Sequence, residues 1–505
     1  MRFFQRALSA LVLLALGACA QVSEFTPSSQ LCDFRTRTLS VNFPDLQQPV
    51  AASSPLPAAA PPRDPAMVPM RSDGSDPGAR TTLEPLTLAG EVARSLDQNP
   101  NPGRNLTDRR APAFLFLSGG SLHGAFGAGF LDEWRREAEA RQGAMPQFAL
   151  VTGISTGAIL SSFAFTGETR NAVDGYSISR ESELLKPHIT PAKGGGLGLK
   201  AGVALAKEGA IADLSPLRTH LDRYLTHRIL TRVADGANEG RMLWVGAVDV
   251  DTGEAVAFDL GDMATRYVNA QPLPPSPQQP MSPAARKAKD CYISAIVASS
   301  SAPIAARPVF IDNRMYIDGG ARFGLFGAEI NTIVDDIRRR STPGAKVIPV
   351  SYAIINGTLE LAAPKKCPKL DDKLCSDSNP TGGKEGAHDA WNFIDLALRS
   401  EDILANQVYR FSAQRAGAGA GGQPGGFNIV RIEKDGQDHP YTLTDADVAA
   451  LGGVDAERGP KPCREWREID RTLLNPVQFF PRYMRCMIDY GRARERREGW
   501  SAQGT

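Results

Sequence analysis

Phe148-Ala149-Leu150-Val151-Thr152-Gly153-Ile154-Ser155-Thr156-Gly157-Ala158-Ile159-Leu160 is an apolar run broken by Gly-x-Ser-x-Gly and resumed in a helical pattern. The pattern predicts a strand over Phe148–Thr152 and a helix over Thr156–Thr166. A strand that turns this sharply into a helix lifts Ser155 out of the sheet as a nucleophile elbow. Gly153 and Gly157 keep side chains from colliding in the turn. The helix start places partial positive charge near the serine oxygen. Taken alone, a Gly-x-Ser-x-Gly is a weak signal in a chain with 48 glycines, and its place between strand and helix is what gives it weight.

Two other segments share this grammar. Ala113–Leu117 is a short apolar strand running into Ser118-Gly119-Gly120-Ser121-Leu122-His123-Gly124 and then a helix over Gly124–Arg141. A Gly-rich strand-to-helix turn aims backbone N–H groups at an anion, which acyl transfer needs for its oxyanion. A dinucleotide fingerprint starts in the same way, but the acidic residue expected about twenty positions on is not evident. A tight turn for helix packing is the plainer alternative. Tyr316-Ile317-Asp318-Gly319-Gly320 puts a carboxylate at a strand end beside two glycines. Asp318 there could take a serine proton, or could simply close an Asx turn.

Around these segments strands and helices alternate, the signature of an α/β sheet. Hairpins are predicted at Met242–Val250 with Ala255–Leu260, and at Val309–Ile311 with Met315–Ile317. Helices are expected over Cys291–Ser300, Ile330–Arg339, Ala387–Phe411 and Pro476–Arg497. Strands are expected over Lys346–Ile355 and Phe427–Ile432, with a Gly/Ala loop at 416–426.

The three segments together resemble the patatin-like phospholipase family, over about residues 113–325. A Gly-rich oxyanion loop, a Gly-x-Ser-x-Gly and a distant Asp-Gly-Gly follow in the family's order. Ala298-Ser299-Ser300-Ser301-Ala302-Pro303 resembles the helix end that precedes the family's Asp hairpin. The resemblance implies a three-layer α/β/α fold around a mostly parallel sheet. It implies a Ser155–Asp318 dyad with no catalytic histidine, and no metal or other cofactor. Gly119, Gly120, Ser121, Leu122, His123 and Gly124 would form the oxyanion loop, and acyl esters of lipids or phospholipids would be the substrates. The chain departs from the family at His123, where Arg or Lys is usual, and at Ser121, where a third Gly is usual. Ala321-Arg322-Phe323 also replaces the usual Asn and Pro.

The N-terminus has its own signature. Arg2 and Arg6 mark a short charged region, followed by an apolar run, Ala7–Leu16, too short to span a bilayer as an ordinary helix. It has the form of a secretory signal. Leu16-Gly17-Ala18-Cys19 resembles the lipobox of bacterial lipoproteins. That implies cleavage after residue 18, a diacylglyceryl group on Cys19, and a cell-envelope protein held to a membrane. Ala20 in place of Asp favours the outer membrane over the inner. An ordinary secretory signal with a chance cysteine is the alternative. Residues 51–80 carry seven prolines and no apolar periodicity, as a linker would. The expected organisation is a signal peptide at 1–18, a lipidated linker at 19–110 with order beginning near Ala111, a catalytic core at 111–360, and an extension of the same domain at 361–505.

The formal charge is +1, so no electrostatic pull toward nucleic acid is expected. Six cysteines remain after Cys19, and in an oxidising compartment they read as disulfides. Cys367–Cys375 is the first pairing expected and Cys463–Cys486 the second. No paired CxxC spacing suggests zinc.

Two other functions fit the residues. His388 or His439 could complete a Ser–Asp–His triad in an α/β-hydrolase esterase, the chain order being right. A catalytically inert, lipid-anchored envelope protein could also keep an old hydrolase fold.

Overall fold

The computed structural model describes Phe25 and residues 30–38, 88–98, 112–189, 207–325, 349–357, 393–419, 426–452 and 459–502. Cys19, the 51–80 linker, the expected Ile330–Arg339 helix, the expected Cys367–Cys375 disulfide and His388 lie outside them.

Ten strands form one mixed sheet: β1 (Thr36–Thr38), β2 (Ala113–Leu117), β3 (Leu150–Ile154), β4 (Met242–Asp249), β5 (Ala255–Asp259), β6 (Val309–Ile311), β7 (Arg314–Asp318), β8 (Val350–Ile355), β9 (Phe427–Arg431) and β10 (Ser501–Ala502). The centre, β4-β3-β2-β8-β9, is parallel. Antiparallel strands close the two sides, β5 and β1 beyond β4, and β10 beyond β9. Successive residues of a strand face opposite ways, and the core divides accordingly. Ala113, Leu115 and Leu117 of β2 enter one apolar cluster, and Phe114 and Phe116 enter the other. Both faces are therefore buried, as parallel strands require.

Helices cover both faces. α1 (Leu88–Gln98) and α9 (Phe393–Gly419) pack with the Phe114 cluster through Leu88, Val92, Leu96, Ala413 and Ala416. The larger cluster holds α2 (Gly124–Ala140), α3 (Thr156–Thr166), α4 (Thr169–Tyr176), α5 (Ser215–Tyr224), α6 (His227–Asn238), α7 (Leu260–Ala270) and α8 (Pro283–Ser299). A short α10 (Asp445–Ala450), then α11 (Cys463–Leu474) and α12 (Pro481–Glu498), also join it. α12 meets α2 backbone to backbone at two glycines. A Cβ on Gly129 would fall 2.0 Å from the Ile488 carbonyl, and one on Gly491 2.2 Å from the Phe126 carbonyl. Arg492–Asp132 and Arg496–Glu133 ion pairs flank the contact.

The strand β4 is shared. Its residues Met242–Gly246 pair with β3, and Ala247–Asp249 pair with β7. Ile154 is therefore opposite Gly246, and Asp318 is opposite Ala247, the next residue.

Several expected boundaries shift. Order does not wait for Ala111, because β1 pairs with β5 and α1 buries the i, i+4, i+8 row Leu88, Val92 and Leu96. The Asp312 carboxylate accepts from the backbone N–H groups of Cys32, Asp33 and Phe34, fixing that early segment to the β6–β7 turn. The second core strand is Leu150–Ile154, two residues later than its apolar run suggests, because Gly153 and Ile154 still pair with β4. The long helix continues to Gly419, so Ala416 is helical and buried rather than part of a loop. The closing helix begins at Pro481, whose missing N–H suits a first helical turn. Residues 476–480 are a loop instead.

Candidate active site

Ser155 sits between β3 and α3 with φ 54° and ψ −122°. A non-glycine residue there is strained, by roughly 1–3 kcal/mol, and persists only where neighbours hold it. The neighbours are three consecutive serines at the end of α8. The Ser155 N–H donates to Ser299 Oγ at 2.9 Å, and Ser299 Oγ donates to the Gly246 carbonyl at 2.6 Å. Ser300 Oγ donates to the Ser155 carbonyl at 3.2 Å. The Ser301 carbonyl accepts from the Asp318 N–H at 2.9 Å. One helix end thus positions both Ser155 and Asp318. Gly157 must lack a side chain, since a Cβ would lie 2.2 Å from the Leu117 carbonyl.

Asp318 ends β7 and is buried. Ser155 and Asp318 line one cavity, and the Asp318 Oδ1 accepts the Gly320 N–H at 2.7 Å. Burial pushes the Asp318 pKa up to about 6, and the nearby Ser155 hydroxyl and the Gly320 N–H oppose the rise. A carboxylate moved toward neutrality of the medium is a better proton acceptor than an ordinary aspartate and is still ionised at pH 7.

The Gly-rich turn runs beside this pair. A Cβ on Gly119 would lie 3.1 Å from Ser155 Cβ. Gly120 has φ 147°, and a Cβ there would lie 2.5 Å from the backbone of Asn356. Residues 121–123 form a single 3₁₀ turn, so the N–H groups that open it have no intrahelical acceptor. Asn356, which follows β8, braces this end of β2. Its N–H donates to Ser118 Oγ and its Nδ2 to the Ser118 carbonyl. Ser121 takes φ 52° in place of the usual glycine, and its hydroxyl accepts from Gln478 Nε2 at 2.5 Å. Leu122 is buried, and Gly124 begins α2. His123 does not behave as a cation. Burial, reinforced by the charge of Arg467, lowers its pKa to about 4. Its Nε2 lies 3.0 Å from the Tyr483 hydroxyl.

Ser155 and Asp318 open onto a cavity of about 660 Å³, within the range of ligand sites. Its walls include Ile159, Phe163, Leu184, Leu185, Leu217 and Leu221. Ala405, Asn406 and Tyr409 of α9 line it as well. A Cβ on Gly119 would meet the Tyr409 hydroxyl at 2.0 Å, so that hydroxyl lies close to the Gly-rich turn. At 100° per residue, the opposite side of α9 carries Leu396, Ile403, Leu404 and Phe411, all exposed. The loop 475–480 forms another wall. Glu181 holds it by accepting from the N–H groups of Val477, Gln478 and Phe479.

Ser155, Asp318, Gly319, Gly320 and the Gly119–Gly124 turn thus come together where the sequence places them. Ser299, Asn356, Tyr409, Arg467 and Gln478 were not foreseen as site residues, and no local motif marks them. The serine triplet alone was visible, as a helix end. His439 bonds to Asp489 at 2.9 Å and does not line the cavity. Among the described residues no group of three His, Cys, Asp or Glu could hold a metal. Cys463 pairs with Cys486, and Cys32 pairs with Cys291.

A family model described as "Patatin-like phospholipase" matches residues 115–326. No curated protein matches the chain. Among solved structures the chain is similar to VipD from Legionella pneumophila, at 12% identity and a TM-score of 0.23. That match covers 48% of this chain and 50% of VipD, so the chain spans about half of that protein's length. The family match contains the Gly-rich turn, Ser155 and Asp318, and it ends before α9, α11 and α12.

Proposed function

On the premise that residues 115–326 are a patatin-like phospholipase domain, we propose that this chain is a serine hydrolase cleaving acyl esters of lipids through Ser155 and Asp318. The observation that carries the reading is that one strand and one serine triplet bring Ser155 and the buried Asp318 carboxylate to the wall of the same cavity. Asp318 takes the Ser155 proton as the oxygen attacks the ester carbonyl. N–H groups of Gly119, Gly120 and Ser121 receive the oxyanion. The alcohol or lysolipid leaves with the proton held by Asp318. Water then attacks the acyl-enzyme, giving its proton to Asp318, and the fatty acid departs as Ser155 is reprotonated.

The lipid side of the proposal rests on the cavity wall and on the apolar outer face of α9, which suits contact with a lipid surface. Diacylation of Cys19 would hold the domain at an envelope membrane, and the outer membrane is our proposal. A Ser–Asp–His triad is the less supported reading, because His439 is engaged by Asp489 away from the cavity.

The test is a fluorophosphonate probe together with turnover of a fatty-acyl ester. Wild type should label and turn over, and Ser155→Ala should do neither. A folded wild-type protein that neither labels nor hydrolyses any acyl ester would leave the inert reading in place.

A further inference from the structure

Among the described residues, the cavity wall holds one charge that neither an ion pair nor the dyad mechanism occupies. Arg467 of α11 lines it on the side of the Gly-rich turn. Among the described residues no carboxylate pairs with it, and its Nε is buried without a hydrogen-bond partner. Its guanidinium lies over two rings, 5.0 Å from the Phe480 centroid and 5.4 Å from that of Tyr483. The other lining arginine, Arg471, is occupied by both oxygens of Glu468 at 2.7 Å. The lining histidines, His123 and His220, are driven toward neutrality by burial. Among the described lining residues the one carboxylate is Asp318, the base of the proposed dyad, which accepts from the Gly320 N–H.

The position of Arg467 is rigidly defined. Cys463–Cys486 ties α11 to α12, and the Asp470 carboxylate accepts from the N–H groups of Arg482 and Tyr483. Tyr483, under the guanidinium, is bonded to His123 of the Gly-rich turn. A partly desolvated cation without a counter-ion carries an unrecovered desolvation cost. An anionic ligand group recovers it through charge-assisted hydrogen bonds, and the planar guanidinium fork suits phosphate.

We propose that Arg467 binds the phosphate of a phosphorylated acyl-ester substrate, making it a specificity-determining residue supplied from outside the family-matched segment. This rests on the hydrolase reading above.

The experiment compares wild type, Arg467→Gln and Arg467→Lys on three esters. These are phosphatidylglycerol and diacylglycerol of equal chain length in detergent micelles, and p-nitrophenyl butyrate. A lost charged hydrogen bond is worth about 1.5–3 kcal/mol, so Arg467→Gln should raise KM for the phospholipid roughly ten- to a hundredfold. Its kcat/KM on the two uncharged esters, and its fluorophosphonate labelling rate, should stay at the wild-type level. Arg467→Lys should recover part of the phospholipid KM. An equal loss on all three esters would overturn the proposal, since the guanidinium would then act on acyl transfer or on the fold. Unchanged kinetics on the phospholipid would overturn it too. A wild-type protein inactive on all three would instead remove the hydrolase reading beneath it.

Discussion

Ile154 and Asp318, 164 positions apart in the chain, are held by adjacent residues of one strand: Gly246 pairs with the first and Ala247 with the second. Ser155, the residue after Ile154, is thereby brought to the same cavity wall as Asp318. Neither strand reaches the other directly; β4 changes partner at that point, and the serine triplet of α8 holds both ends.

Ser155→Ala and Asp318→Asn should each lower kcat by roughly 10⁴-fold or more, as removal of cooperating groups does. The double variant should be little worse than either single one. Additive losses in steady-state kinetics would argue against a dyad acting as a unit.

Because the Asp318 pKa is about 6 and the base must be ionised, kcat/KM should fall tenfold per pH unit below about pH 6. Stability should run the other way. A folded-state pKa above the unfolded value means this group favours folding most below about pH 4 and loses that contribution as pH rises through 6. Asp318→Asn should therefore be more stable than wild type at pH 8, by on the order of 2 kcal/mol. The difference should vanish near pH 4. Denaturant titrations at the two pH values measure this.

Ser299→Ala would leave the Ser155 N–H and the Gly246 carbonyl without their shared partner. A buried unsatisfied group costs about 1–3 kcal/mol. The variant should lose that much stability and label more slowly with a fluorophosphonate, because the strained φ of Ser155 is less well held. Wild-type labelling and unfolding midpoint would contradict this account of the triplet.

His439→Ala should keep turnover, since its partner is Asp489 and it lies off the cavity wall. A loss comparable with Ser155→Ala would revive the triad.

Reduction of Cys463–Cys486, or Cys486→Ala, opens a 23-residue loop. Loops of this length are worth about 3 kcal/mol. The unfolding midpoint should fall accordingly. The phospholipid KM should rise more than that for p-nitrophenyl butyrate, as α11 and Arg467 loosen against α12.

The local elements of the site could be read directly from the residues. Gly153-Ile154-Ser155-Thr156-Gly157, the Ser118–Gly124 turn and Asp318-Gly319-Gly320 each declare themselves, because a strand-to-helix turn and a strand-end carboxylate are short-range chemistry. Apolar alternation in the same stretches was enough to establish an α/β sheet. Cys463–Cys486 was also within reach, its two cysteines lying 23 positions apart.

What lay beyond the sequence was every contact made across long separations. Ser299 against Ser155, Asn356 against Ser118, Gln478 against Ser121 and Arg467 above Tyr483 have no local signature. Each depends on which strands pair and how α12 lies along α2. Residue order decided which groups could do chemistry. The packing of helices and the partner exchange along β4 decided which of them meet, because backbone periodicity specifies a face and an element but not its neighbour.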